Sequence, residues 1–502
     1  MSVGADGGRP NILLIVSDQE RQRDWLPAGV ELPARQRLLD EGLEFTRYYT
    51  HSSPCSPSRA TLFTGQYVPQ HGVNENVIFP GVHAELDTAI PTLGSSVREQ
   101  GYYSAYLGKW HLSHAAQPDM DAYGFSDWTG NDKHYMGWAG TGLAFDPDIA
   151  GQAVDWLARS TSIDQPWFCT VALVNPHDVM WFPMDQPEYR AKHPDELAFT
   201  ESLLASAKWK GGDLVPAFDQ PYDEWFDTLP ANFDDDLWSK PEVQRQWFHE
   251  QQHSLYGLID HDDTRSWLRH LDYYVKLHQE GDANLARVLK ALDDSGQADD
   301  TIVIFTSDHG DQCGSHGLRS KGPWVYEETM RIPLYVRAPG MTGAGTSTAA
   351  LATHVDLATT IPLLAGAQRD ELDSYAGVDL RPIFETPSAA GRDHVMFAQD
   401  SAWYERCIHT RYAIRGMFDG RFKYARYYGV GGSSTPYGKK WPTPKLYDVD
   451  AAFEDHDHEL YDLQEDPGEL VNLAHDRGRR NELRSWFDRL LAAEAEEFAP
   501  LG

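Results

Sequence analysis

Three apolar runs in this 502-residue chain each end in a polar string. Ser17-Asp18-Gln19 follows Ile12–Val16, Asn175-Pro176-His177-Asp178 follows Phe168–Val174, and Ser307-Asp308-His309 follows Ile302–Thr306. A single Asp at a strand end commonly caps a helix. Two polar pairs on separate strands point instead to a divalent cation. Asp18, Gln19, Asp308 and His309 are oxygen and nitrogen donors of the kind that suits Ca²⁺ or Mg²⁺, and the His admits Mn²⁺ as well. A further string, His51-Ser52-Ser53-Pro54-Cys55-Ser56-Pro57-Ser58-Arg59, runs into Ala60-Thr61-Leu62-Phe63-Thr64-Gly65. Its core is C-x-P-x-R. An isolated Cys is usually a small buried hydrophobe. This one opens a Ser/Pro-rich turn into a helix, so its side chain should sit near a helix N-terminus, where anions are favoured.

The elements that must position these residues alternate. The three apolar runs are short and continuous, as buried parallel strands are, and Leu334-Tyr335-Val336 is a weaker fourth. Before the third run, Leu271, Val275, Leu285, Val288, Leu289 and Leu292 keep helical spacing, with Gly296 where a C-cap glycine belongs. The expected class is α/β, a large mostly parallel or mixed sheet flanked by helices, with ligands at the carboxyl ends of the strands. Residues 1–385 read as the catalytic domain. Within them, 178–262 is an insertion rich in Pro, Asp and aromatics, either a pocket wall or lid or a surface subdomain with its own core. From 386 to 502 the character changes to a smaller α+β unit. It has aromatic strands at Arg411–Met417 and Arg421–Tyr427, Gly-rich turns, and a terminal amphipathic helix over about 478–497.

Composition bounds the function. There are 43 Lys and Arg against 76 Asp and Glu, a formal charge of −33. That speaks against nucleic-acid partners and against anionic membrane surfaces. It does not exclude a local cationic pocket for a small anion. No run approaches the ~18 apolar residues of a membrane span. Four cysteines without framework spacing, no N-x-S/T sequon and no signal-peptide pattern at Met1–Pro10 lead to the expectation of a cytoplasmic protein without structural disulfides.

The Cys55 stretch resembles the signature of type I sulfatases, within the alkaline-phosphatase-like superfamily. The resemblance continues in order through Pro10–Gln19, Gly108-Lys109-Trp110-His111, Asn175-Pro176-His177, Thr306–Asp311 and Lys321-Gly322-Pro323. It ends with Glu459–Leu463, Asp466-Pro467 and Asn472-Leu473. In that family the Cys of C-x-P-S-R is oxidised to Cα-formylglycine, and the hydrate of that aldehyde is the nucleophile. The resemblance implies catalytic roles for Cys55, Arg59, Lys109, His111, His177 and Lys321, with Lys109, His177 and Lys321 on the sulfate. It implies one divalent metal held by Asp18, Gln19, Asp308, His309 and the modified Cys55, and a formylglycine-generating enzyme as maturation partner. Ca²⁺ is the first choice of metal, with Mn²⁺ or Mg²⁺ as alternatives. Arg59 would orient the nucleophile turn, Lys321 and His177 would serve the leaving group, and His111 would remove the last hydroxyl proton so that sulfate leaves by C–O cleavage. A homo-oligomer is a general expectation only.

The chain departs from many family members, which carry Asp-Asp at Asp18-Gln19 and Asp-Asn at Asp308-His309. These pairs make the metal site less anionic and are similar to those of phosphonate monoester hydrolases. That group usually has C-x-P-A-R and a Thr-rich segment in place of Gly-Lys-Trp-His, so Ser58, Lys109 and His111 favour a sulfatase. Asn76 matches a substrate-side Asn of the phosphonate group; a turn cap is the other reading. The expected function is hydrolysis of aryl or alkyl sulfate monoesters, with a small-molecule substrate. The alternatives are a phosphonate monoester or phosphodiester hydrolase, and a non-catalytic relative whose Cys55 stays a thiol. Trp181, Phe182, Trp209 and the aromatics at Tyr135–Trp138 are read either as an apolar leaving-group pocket or as core. Cys313 and His316 are assigned to packing or support.

Overall fold

The computed structural model describes residues 8–78, 84–114, 120–128, 137–206, 218–251, 256–341, 343–401, 410–429 and 449–501. Trp209, Tyr135 and Cys407 lie outside the described residues.

The main sheet has eight strands: β1 (Asn11–Asp18), β2 (Leu43–Phe45), β3 (Tyr103–Gly108), β4 (Asp127–Trp128), β5 (Trp167–Pro176), β6 (Thr301–Ser307), β7 (Leu334–Arg337) and β8 (Thr346–Thr348). They lie in the order β4-β3-β5-β1-β6-β7-β2-β8. β1 is central and pairs in parallel with β5 and β6. Its continuous apolar run follows from burial on both faces. Ile12, Leu14 and Val16 join one core with Ala60, Leu62 and Phe63. Leu13 and Ile15 join the opposite core with Ala150, Leu157, Leu285 and Val288.

Register brings the three polar strings together. Asp18 pairs with Pro176 on one side, and Ser17 with Ser307 on the other. Helices α1 (Cys55–Thr64), α2 (Thr141–Ser160) and α3 (Thr264–Asp294) flank the sheet. The spacing that predicts a helix from Leu271 to Leu292 covers the last three-quarters of α3, and Gly296 follows with φ 73°.

β7 runs antiparallel to its neighbours, although the alternation of helices and strands favours parallel strands. The reason is the connection. Residues 308–333 stay at the carboxyl edge, where they build the site, and carry only the 3-10 turn Ser315–Gly317 and the short helix Glu327–Met330. Without a crossover helix to return the chain, the next strand runs back from the same edge.

A four-stranded antiparallel sheet follows: β9 (Val395–Gln399), β10 (Ala413–Phe418), β11 (Phe422–Tyr428) and β12 (Asp457–Asp462). Helix α4 (Arg480–Glu497) packs Leu483, Trp486, Phe487 and Leu490 against Met396, Met417, Tyr424 and Leu460 of that sheet. In the 178–262 segment, Val179, Phe182, Phe233 and Ile259 share a core with Trp267, Leu271 and Tyr274 of α3. Trp181 packs separately with Ala139 and Tyr256. No described helix is long and apolar enough to cross a membrane.

Candidate active site

Cys55 is the first residue of α1, and every residue of that helix is buried. Its Sγ is the hub of the cluster. Lys321 Nζ lies 3.1 Å away, His309 Nε2 3.3 Å, Asp18 Oδ1 3.6 Å and Lys109 Nζ 4.0 Å. One turn along α1, Arg59 spans both strand-end carboxylates. Its Nη2 donates to Asp18 Oδ2 at 3.0 Å and its Nε to Asp308 Oδ2 at 2.9 Å. Its Nη1 donates to the Lys109 carbonyl at 2.9 Å. A planar fork with fixed donors suits this bridging role better than an ammonium would. Lys109 Nζ completes the network at 2.6 Å from Asp18 Oδ2.

Lys109 and His111 follow β3. Gly108 ends that strand at φ 99°, where an added Cβ would meet the Ala172 carbonyl oxygen at 2.1 Å. Only glycine lets β3 close against β5 and then turn into the site. Gln19 (φ 69°) and His111 (φ 59°) sit in the left-handed region that non-glycine residues seldom occupy. Such strain concentrates at functional sites, where surrounding contacts hold it.

His177 is fixed by a reciprocal clamp. Asp146 of α2 accepts the backbone N–H groups of Val174 and Asn175 at 2.7 and 2.9 Å. Asp178 in turn accepts those of Gly142 and Leu143, at the start of α2, at 3.2 and 3.0 Å. An added Cβ at Gly142 would meet the Asn175 side chain at 2.3 Å. Lys321 sits on the loop after β6. There Ser320 N donates to Asp311, and Gln399 of β9 donates to the Gly322 carbonyl.

Charge in this buried cluster is unevenly shared. Burial alone would raise Asp18, yet the charges of Lys109, Arg59 and Lys321 together hold it well below the usual carboxylate range. Asp308 is pushed up to about 6 by burial and by the Asp18 charge. Burial, helped by the nearby Asp18 carboxylate, raises the Cys55 thiol to about 11, so the thiol is neutral at pH 7. His111 is held well below the ordinary imidazole value by burial, then by Lys109 and Arg59. His177 is held down by burial, Lys321 and Lys109. His309 is held down by burial and Lys321. All three imidazoles are therefore neutral at pH 7.

The donor set fits a divalent cation. Ligand atoms of Asp18, Cys55, Asp308 and His309 all lie within 4.8 Å of one another. His309 Nδ1 lies 2.9 Å from the Gly310 carbonyl, so it carries the ring proton and leaves the Nε2 lone pair facing the carboxylates. A backbone acceptor of this kind orients a metal-binding imidazole. Gln19 Oε1 points into the same space, 2.6 Å from Lys321 Nζ.

The structure thus gathers Asp18, Gln19, Cys55, Arg59, Lys109, Asp308, His309 and Lys321 by direct contact, with His111 and His177 in the same buried electrostatic cluster. Asn76 stands one step back. Its Oδ1 accepts the Ser56 N–H at 3.0 Å, which caps the start of α1. His316 is away from the centre, paired with Asp235 at 2.8 Å and stacked on Tyr326. Cys313 packs beside His270. Trp181 is buried against Trp138 and Tyr256, while Phe182 stacks on His270 in the neighbouring core.

Several supporting residues escape a reading of spacing alone. Ser56 Oγ donates to the His111 carbonyl and Ser58 Oγ to the Asp308 carbonyl, so both variable positions of C-x-P-x-R lock other site strings to the turn. Asp146 carries one faint signal, an Asp directly before Pro147 inside a helix.

A mixed sheet delivering metal donors, with a cysteine turn among lysines, defines a hydrolase of the alkaline-phosphatase superfamily. The sulfatase family model matches residues 10–367, and the chain belongs to that family. A model described as the C-terminal part of N-sulphoglucosamine sulphohydrolase matches residues 314–440. The Escherichia coli (strain K12) sulfatase YidJ, itself uncharacterised, is 29% identical over 394 residues, which cover 72% of this chain and 69% of that protein. In fold, a sulfatase-family protein from Bacteroides thetaiotaomicron superposes with a TM-score of 0.71 at 22% identity, covering 98% of this chain and 93% of that one. The phosphonate monoester hydrolase of Agrobacterium radiobacter superposes with a TM-score of 0.68 at 23% identity, covering 97% and 96%.

Proposed function

We propose that the protein is a formylglycine-dependent sulfatase that hydrolyses small aryl or alkyl sulfate monoesters. The observation that carries this reading is Cys55. Its side chain sits at the meeting point of Lys321, Lys109 and the metal-donor set, with Arg59 bracing both carboxylates from the same helix. The Sγ atom stands where the oxygens of a formylglycine at position 55 would begin. That group, formed by a formylglycine-generating enzyme, supplies the nucleophile. A divalent ion held by Asp18, Gln19, Asp308 and His309 supplies Lewis-acid stabilisation of developing negative charge; Ca²⁺, Mn²⁺ and Mg²⁺ all suit the donors.

The chain's own residues do the rest. Lys109 and Lys321 present ammonium groups to position 55 and attract the sulfate oxygens. Arg59 keeps the nucleophile turn and both carboxylates in one rigid unit. Neutral His177, clamped at the end of β5, lies on the leaving-group side; neutral His111, beside Lys109, serves as a proton acceptor at position 55. Every one of these side chains is at least nine-tenths buried, which strengthens each electrostatic contact and excludes bulk water.

A second reading has its own support. Gln19 and His309 in the metal set, and the likeness of fold to a phosphonate monoester hydrolase, favour turnover of phosphonate monoesters or phosphodiesters at the same site. The test of the nucleophile is the mass of the tryptic peptide holding Cys55, taken from protein made in its native host. The expected mass shows the deficit that replacing CH₂–SH by an aldehyde produces. An unshifted mass in a protein that turns over sulfate esters would overturn the formylglycine assignment.

A further inference from the structure

Gln19 differs from the carboxylates around it in one respect: its amide has an oxygen end and a nitrogen end, and only the oxygen can ligate a cation. Something must fix which end faces the site. Gln19 Nε2 donates to Asp311 Oδ2 at 2.5 Å. Asp311 Oδ1 accepts two backbone N–H groups, from Cys313 at 2.6 Å and from Ser320 at 3.2 Å. The Asp311 side chain is fully buried and every partner it has here is a donor, so it acts as a carboxylate acceptor. On the other side, Lys321 Nζ, a donor only, lies 2.6 Å from Gln19 Oε1.

We infer that Asp311 is a positioning residue that fixes the Gln19 amide with its oxygen toward the metal-donor set. The inference rests on the metal reading proposed above. The geometry separates two jobs within one carboxylate. Oδ1 orders the loop that carries Ser320 and Lys321, while Oδ2 alone orients Gln19. The change Asp311→Asn would keep the first job, because the Oδ1 that remains can still accept both backbone N–H groups. The Nδ2 it introduces would face Gln19 Nε2, donor against donor. Turning the Gln19 amide to relieve this would set Nε2 against Lys321 Nζ. Turning the introduced amide would abandon two buried N–H groups. No arrangement of two amides satisfies all the donors present, and a buried unsatisfied group is costly. Combining Gln19→Glu with Asp311→Asn reverses the hydrogen bond: the introduced Nδ2 donates, and a carboxylate oxygen still faces both Lys321 and the metal.

The test is Mn²⁺ affinity measured by calorimetry on metal-stripped full-length protein, independent of turnover. Asp311→Asn is expected to weaken Mn²⁺ binding about 10–100-fold, as loss of a ligand-orienting partner does. In a Gln19→Leu background, the same change is expected to cost less than about twofold, because residues that act through one another do not add. The double variant Gln19→Glu with Asp311→Asn is expected to recover affinity lost by Asp311→Asn alone. An Asp311→Asn protein that binds Mn²⁺ like wild type would overturn the inference. So would an Asp311→Asn penalty that persists in the Gln19→Leu background, since the effect would then be loop structure or through-space charge. Wild-type protein that binds no divalent ion would overturn the metal reading and this inference together, an outcome visible in the wild-type arm alone.

Discussion

Two of the charge clusters that the molecule buries are built differently. In the centre around Cys55, Arg59 and Lys109 are paired to Asp18 and Asp308, whereas Lys321 donates to a neutral amide and a neutral thiol. Between the catalytic sheet and the small C-terminal sheet, Lys423 of β11 pairs with Glu327 at 2.7 Å and with Glu469 at 2.9 Å. Glu327 also meets Arg331 and Tyr49, and Glu469 accepts the Glu327 backbone N–H. In the second cluster the ammonium is matched by a carboxylate of the chain itself, that of Glu327. In the first, one ammonium looks toward whatever anion enters. Burial and charge density alone therefore do not mark a binding site; incomplete internal neutralisation does.

This contrast predicts a separation of effects. The largest belongs to the nucleophile: Cys55→Ala should lower turnover of 4-nitrophenyl sulfate by about 10⁴-fold or more, with the fold retained by circular dichroism. Next, Lys423→Met should cost about 3–5 kcal/mol in denaturant unfolding, because it takes the ammonium away from the buried Glu327 carboxylate. The kcat/KM of the folded fraction should stay within about twofold of wild type. Lys321→Ala should do the reverse, lowering kcat/KM about 10²–10³-fold while leaving the unfolding midpoint nearly unchanged. If Lys321→Ala destabilised as Lys423→Met does, the two clusters would not differ as described.

A further effect is in pH. Burial, with the charges of Glu327 and Glu328, outweighs Lys423 and pushes Glu469 up to about 8. A carboxyl raised in the folded state stabilises fully below its unfolded value of about 4.5, and that stability is lost as pH rises through about 8. Melting temperature should therefore decline between about pH 5 and 8, and Glu469→Gln should flatten that slope. An unchanged slope in the variant would assign the decline to other groups.

Much of the centre was legible in the sequence because its residues stand at strand ends. A parallel sheet aligns such ends by register, so Asp18, His177 and Asp308 could be placed together without knowing the loops. The antiparallel turn of β7 was not legible, since direction depends on whether the chain crosses the sheet, and the three apolar residues Leu334–Val336 carry no sign of that. The roles of supporting residues such as Asp146, Asp178 and Asp311 were hidden for another reason. They act by accepting backbone N–H groups that any residue supplies, so no side-chain pattern announces them. For Asn76 two readings were open, a substrate-side residue and a turn cap, and the contact seen is the cap on the first turn of the Cys55 helix.

The central claim is that the cationic cluster beside Cys55 serves sulfate. The direct measurement is kcat/KM for 4-nitrophenyl sulfate, a simple alkyl sulfate and a phosphonate monoester, made on one preparation whose conversion at Cys55 has been measured by mass. The sulfate esters are expected to be turned over faster. Phosphonate turnover exceeding both by orders of magnitude would contradict the account and install the second reading in its place.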